Sequence, residues 1–238
     1  MRFHMDKRAI ALVALLAAVY AVVGLLPGLP ILGAPGSEID LVRSLEPAYG
    51  VLLGPVLGPV AAFFGAAIGK LASGDAVGLL FAPLALIPAF IAAALYRRKI
   101  AGVPGWAIAS GVLSLLILGW YLLPEGVAVC YYAAPHIAAL SILLAFRGRI
   151  SGMLASESKK RLALGLLLSG FPATMAGNML GNIIFIVAFS PSPLFFAPLL
   201  PVMLGERLLI TFLSATIGTP LILAAKRLIG RRHVGDAV

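Results

Sequence analysis

Few side chains in this sequence are suited to chemistry, and they stand in a handful of places. Asp40, Arg43 and Glu46 introduce an otherwise apolar stretch, DLVRSLEPAYGVLLGPVLGPVAAFFGAAIGKLASG, which carries Tyr49 near its start and Lys70 near its end. Glu46, between Leu45 and Pro47, opens a short helix. An ionisable group near membrane depth is a functional candidate by default; the alternative is an interfacial carboxylate solvated by headgroup water. Lys70 and Asp75 either form a surface pair worth little or offer Lys70 to an anionic ligand. Asn178 and Asn182, in GNMLGN, share one helix face, as interhelical glue or as ligand contacts. Glu206 and Arg207 are adjacent, and neighbours on a helix do not face each other, so each is expected to pair with another helix. His136, beside Pro135 in an apolar run, reads as a core histidine or a ligand contact. HExxH, Gly-x-Ser-x-Gly and P-loop patterns are missing, as is an Asp-rich cluster for magnesium. The expected chemistry is therefore binding, with no catalytic residue, metal or cofactor.

The setting of these groups follows from composition. Apolar residues make up 61% of the 238 and charged ones 11%, with a mean hydropathy of +1.08. A soluble domain carries about 25% charge, so the chain reads as one integral membrane domain, residues 1–238, set in a lipid bilayer. The net charge of +9 falls in clusters between apolar runs, a pattern that excludes a nucleic-acid partner. Cys130 is the single cysteine, which excludes a disulfide framework and a thiolate metal site. Its apolar surroundings predict a buried core thiol.

The elements that must position the polar groups are helices. Residues 9–26 form a first apolar run after Lys7 and Arg8, long enough to span ~30 Å of hydrocarbon. A signal peptide begins similarly, with Leu32-Gly33-Ala34 as a passable cleavage context; its length and the membranous remainder favour a retained helix. Ala14 and Ala18, then Ala17 and Ala21, give overlapping Ala-x-x-x-Ala pairs, a close-packing or docking face. A Gly/Pro-rich loop follows. Within residues 40–74, Gly50, Gly54 and Gly58, then Ala61, Gly65 and Gly69, recur at the spacing that lets backbones approach. Pro55 and Pro59 each remove a backbone donor, so two short helices should meet at a turn. Later apolar runs cover residues 77–96, 106–123, 127–146, 162–189 and 199–225. Trp120 and Tyr121 fall at an expected membrane edge and read as belt anchors.

Parity sets the topology. Basic residues favour the cytoplasmic side, which places the N-terminus, residues 97–99, residues 147–161 and the tail inside. An even number of crossings must separate successive clusters, so residues 40–72 must cross twice or form a re-entrant pair turning within 54–59. The expected fold is all-α: a polytopic bundle of roughly six to eight membrane segments, with both termini cytoplasmic in the plasma membrane. Arg43, Lys70 and Arg207 are then the basic residues left outside.

A basic N-terminus, a first helix with Ala-x-x-x-Ala pairs, an external loop, a short helix ending in Leu53-Gly54-Pro55-Val56-Leu57-Gly58 and a small-residue helix at 61–72 together resemble the substrate-binding S component of an energy-coupling factor (ECF) transporter. The resemblance covers roughly residues 7–100. It implies a subunit that binds a vitamin or similar micronutrient from outside, near the outer face, and has no ATPase of its own. It further implies a transmembrane T component and two cytoplasmic ATPases as partners, with the Ala14/Ala18 face of helix 1 docking on the T component. The family usually has six helices, so the extra hairpin is a departure.

The expected pocket lies at the outer helix ends under the loop of residues 27–46, which can act as a lid. Glu46, Tyr49, Lys70, Asn178 and Asn182 are the substrate-binding candidates. A stand-alone secondary transporter and a membrane scaffold remain the competing functions.

Overall fold

A computed structural model describes residues 7–30 and 38–230. Most of the loop after the first helix, Leu32-Gly33-Ala34 included, lies outside the described residues, as do the tail's Arg231 and Arg232. The described part is all-α. In order the helices are α1 (Lys7–Gly24), α2 (Glu46–Ala72), α3 (Ala76–Leu80), α4 (Leu86–Tyr96), α5 (Gly105–Tyr121), α6 (Pro124–Ala128), α7 (Ala134–Phe146), α8 (Ile150–Ala155), α9 (Lys159–Phe189) and α10 (Leu199–Gly230). Two-residue strands pair Leu29–Pro30 with Glu38–Ile39 and Lys99–Ile100 with Val103–Pro104. Three described stretches are long and apolar enough to cross a membrane: Leu41–Ala72, Lys159–Phe189 and Leu199–Arg227. Four shorter apolar helices accompany them: Ala9–Gly24, Ala82–Tyr96, Gly105–Tyr121 and Cys130–Phe146.

The first long stretch is not one rod. Gly54 alone in α2 leaves helical backbone, at φ 81° and ψ −173°, a region open essentially to glycine. Pro55 follows it, where a new helix tolerates proline because the missing donor has no partner to lose. The chain doubles back here. A β-carbon on Gly58 would lie 2.7 Å from the Tyr49 carbonyl oxygen, whereas nine residues of straight helix separate groups by ~14 Å. Tyr20 of α1 makes the same point, because its hydroxyl reaches Glu46 at 2.7 Å while its Cβ abuts Gly65. Length and composition count Leu41–Ala72 as one candidate span; its geometry is a helical hairpin.

The small-residue positions explain how closely this hairpin is held. Gly50 lies against the Ala89 carbonyl of α4, and Gly65 and Gly69 lie against the Ala17 and Ala21 carbonyls of α1. Any side chain there would meet backbone. Ala17 and Ala21 are buried in that contact, while Ala14 and Ala18 remain exposed. Of the two Ala-x-x-x-Ala pairs, one is thus consumed inside the chain and the other faces outward.

α9 is the central post, with α4, α5, α7, α8 and α10 all packed on it. Gly177 and Gly181 let it close on Pro88 and Leu84. One end of the bundle gathers the basic clusters. Ser151 donates to the Tyr96 carbonyl at 2.8 Å, and Lys226 reaches the carbonyls of Leu154, Ala155 and Ser156 at 3.0–3.4 Å. Arg147 lies over the Trp106 ring at 5.3 Å, and Arg97 covers the Gly54 turn.

Two expectations need correction. Trp120 is no belt anchor: it is fully buried, stacked on Tyr132 at 5.2 Å and meeting Phe196 edge-on at 5.1 Å. The short 3₁₀ turns Cys130–Ala133 and Pro193–Phe196 fold over the helix end and supply those rings. Cys130, expected in the core, is exposed, because the same turn that buries Tyr132 points its first residue outward.

Candidate functional site

A polar cleft of about 280 Å³ opens in the half of the bundle away from the basic clusters. Four elements build it. The turn entering α2 contributes Asp40 and Arg43, and the end of its second arm contributes Lys70. α9 contributes Asn178 and Asn182, and α10 contributes Glu206 and Arg207. Gly78, Phe81 and Leu84 form one wall. The hairpin is what makes this possible. Asp40 and Lys70 would stand ~45 Å apart on a straight helix, yet they line one cleft.

Each charged group is partly committed. Arg43 lies 3.6 Å from Asp40 and 3.9 Å from Glu46. Lys70 pairs with Asp75 at 3.2 Å. Asp75 also accepts the Gly78 backbone N–H at 2.7 Å and caps α3. That bond, with the nearby Lys70 ammonium, holds the Asp75 carboxyl below the usual carboxylate range.

Glu206 and Arg207 do pair with each other, contrary to the expectation from adjacency. Long side chains bridge the angular gap that separates neighbouring Cβ atoms. Arg207 also donates to Thr174 at 3.2 Å, so it does reach another helix. Its Nε is buried with no hydrogen-bond partner among the described residues, in a side chain only 9% exposed.

The asparagines form the amide edge of the cleft. Asn182 Nδ2 donates to Asn178 Oδ1 at 3.2 Å, as their shared face implied. His136 Nε2 lies 3.1 Å from the same oxygen, the distance of an Nε2–H donor. His136 is fully buried behind Asn178, a core histidine that orients a cleft residue. With its oxygen doubly engaged, Asn178 has its amide N–H groups free of protein acceptors among the described residues.

The remaining candidates lie elsewhere. Glu46 is 1% exposed and does not line the cleft; it accepts from Tyr20 and faces Arg43, standing behind the cleft as a support. Tyr49 is fully buried and donates to the Leu16 carbonyl at 2.8 Å. It lines an adjoining apolar groove of about 770 Å³, walled by Leu16, Val19 and Val23 of α1 and by Leu213 and Ile217 of α10, which shares Asp40 and Lys70 with the cleft. Lys70, Asn178 and Asn182 are therefore brought together at the cleft, Tyr49 shares the adjoining groove with Lys70, and Glu46 lines neither. Asp40, Arg43, Glu206 and Arg207 join the site without having been singled out as binding residues. Their signal was present in the charge placed outside the basic clusters.

An uncharacterised protein of Methanocaldococcus jannaschii is 28% identical over 182 residues, which cover 75% of this chain and 59% of that protein. This chain thus matches less than two thirds of that relative's length. No protein-family profile and no solved structure matches the chain.

Proposed function

We propose that this chain is the membrane-embedded substrate-binding subunit of an ECF-type uptake transporter for a vitamin or similar micronutrient, energised by separate T and ATPase subunits. One observation carries the proposal. A chain that is 61% apolar brings three cations, two carboxylates and two amides together around a cleft of about 280 Å³. Such groups are costly at membrane depth and mark binding or transport paths. Amides and paired charges suit a small polar solute with both donor and acceptor groups.

In this reading the bundle crosses the plasma membrane roughly six to eight times. Its basic end lies in the cytoplasm and the cleft opens outside. The doubled α2 is a broken-helix pair, tolerated because Arg97 covers its turn and α1 and α4 pack along its arms. The outward Ala14/Ala18 face is available to a T component.

The test is identification of small molecules that co-purify with the full chain, followed by calorimetry with the one found. Asn178→Leu should weaken binding about ten- to a hundredfold, from a lost buried partner worth ~1–3 kcal/mol. Unchanged affinity in a folded variant would remove the cleft from the binding role. Uptake by the chain alone in liposomes under an ion gradient would favour a stand-alone secondary transporter instead.

A further inference from the structure

The basic end of the bundle contains a second pocket, of about 240 Å³, distinct from the polar cleft. Arg97 and Arg98 wall it from the end of α4, Trp106 from the first turn of α5, and Arg147 from the turn between α7 and α8. No acidic residue lines it among the described residues. None of the three arginines belongs to an ion pair among the described residues, and all three are exposed. That contrasts with Arg43, Lys70 and Arg207, every one of which is matched by a carboxylate.

The arginines are nevertheless held in place. Arg147 lies over the Trp106 ring at 5.3 Å and donates to the Leu144 carbonyl through Nη1 at 3.3 Å, while its side chain remains exposed. The Arg97 guanidinium lies against the Gly54 turn, 3.3 Å from where a β-carbon there would sit. Gly148 and Gly152 also line the pocket, and a β-carbon on either would meet nothing within 4 Å, so the backbone rim is open. Ser151 ties α8 to the end of α4 through its bond to the Tyr96 carbonyl, fixing one wall relative to another.

We propose that this pocket is a binding site for a phosphate group, supplied by the headgroup of an anionic phospholipid or by a soluble phosphate compound. Guanidinium forks match phosphate oxygens bidentately. A basic pocket between helices at the cytoplasmic surface is where anionic headgroups are captured, with Trp106 at the level of the interface. This site serves no step of the proposed solute binding, and its test does not depend on that function.

The full chain in detergent is titrated with phosphatidylglycerol or phosphatidylcholine and read by native mass spectrometry. Retention of phosphatidylglycerol well above phosphatidylcholine is expected. Arg97→Gln, Arg98→Gln and Arg147→Gln should each lower it about fivefold, and the triple variant about a hundredfold. Arg147→Lys keeps the charge but loses the fork and the stacking, so it should fall between wild type and Arg147→Gln. Lys159→Gln/Lys160→Gln, at the start of α9 and outside the pocket, is the control. Equal retention of the two lipids, or an equal loss in the control, would overturn the proposal and leave a diffuse surface charge. Added inorganic pyrophosphate separates the two sources of phosphate. Displacement of the lipid by pyrophosphate assigns a soluble phosphate ligand, and failure to displace it assigns the lipid headgroup.

Discussion

Gly54→Ala is the substitution that most directly tests how the polar cleft is built. The wild-type glycine sits at φ 81° and ψ −173°, where an L side chain costs ~1–3 kcal/mol. The added methyl would also fall 3.3 Å from the Arg97 guanidinium, a flexible group that can yield, so the backbone term dominates. That energy shifts the balance between the hairpin and a straightened α2 by about five- to 150-fold. The two states differ greatly in length. With the hairpin closed, Asp40 and Lys70 border one cleft; on a continuous helix Asp40 and Ser73 would stand ~50 Å apart. Nitroxide labels at Asp40 and Ser73, with the exposed Cys130 first replaced by Ser, report that distance by pulsed electron resonance. Wild type should give a short distribution, and Gly54→Ala should lose thermal stability or add a long-distance population. A wild-type distribution centred near ~50 Å would refute the hairpin. So would a variant indistinguishable from wild type in both distance and melting temperature.

Two further outcomes follow from the same architecture. Ala17→Leu enlarges a buried side chain whose own carbonyl abuts Gly65 and should destabilise the fold by ~1–3 kcal/mol in a thermal-shift measurement, whereas the exposed Ala14→Leu should leave stability unchanged and weaken co-purification with a T component. Reporter fusions after Lys99, within residues 147–161 and at the C-terminus should all report the same, cytoplasmic compartment, because Ser151–Tyr96 and Lys226–Leu154 contacts bring those segments to one end; a split result would contradict the proposed orientation.

The hairpin was legible in the sequence because two unrelated constraints demanded it. Charge parity required an even number of crossings before residues 97–99, and Gly54-Pro55 supplied a backbone able to turn. The turn is nevertheless narrower than the Gly-Pro pairs implied. Pro59 sits within the second arm's regular helix, one turn after Pro55, where it forgoes the bond its N–H would have made to the Pro55 carbonyl without breaking the helix. The repeated glycines looked equivalent by spacing and are not. Gly54 makes the turn, Gly58 meets the other arm, Gly50 meets α4, and Gly65 and Gly69 meet α1. Spacing identifies a face that allows close approach, but the partner depends on the packed bundle. The same limit hid Trp120, whose burial depends on rings from Tyr132 and Phe196, carried in by turns distant in sequence.

The site divides along the same line. Asn178 and Asn182 were legible because the helical repeat alone places them on one face, and Lys70–Asp75 because both partners are local. Glu46 and Tyr49 do not line the cleft because their short arm is clamped against α1. There Tyr20 takes the Glu46 carboxylate and the Leu16 carbonyl takes the Tyr49 hydroxyl. What reaches the cleft from that arm is instead Arg43, with Glu46 behind it. The consequence is physical as well as topological. The carboxylate that supports a cleft-lining arginine also accepts the hydrogen bond from α1, so Arg43, Glu46 and Tyr20 form one continuous polar chain. Movement of Arg43 toward a bound anion would weaken its attraction to Glu46, and α1, which carries the outward Ala14/Ala18 face, holds the other end of that chain.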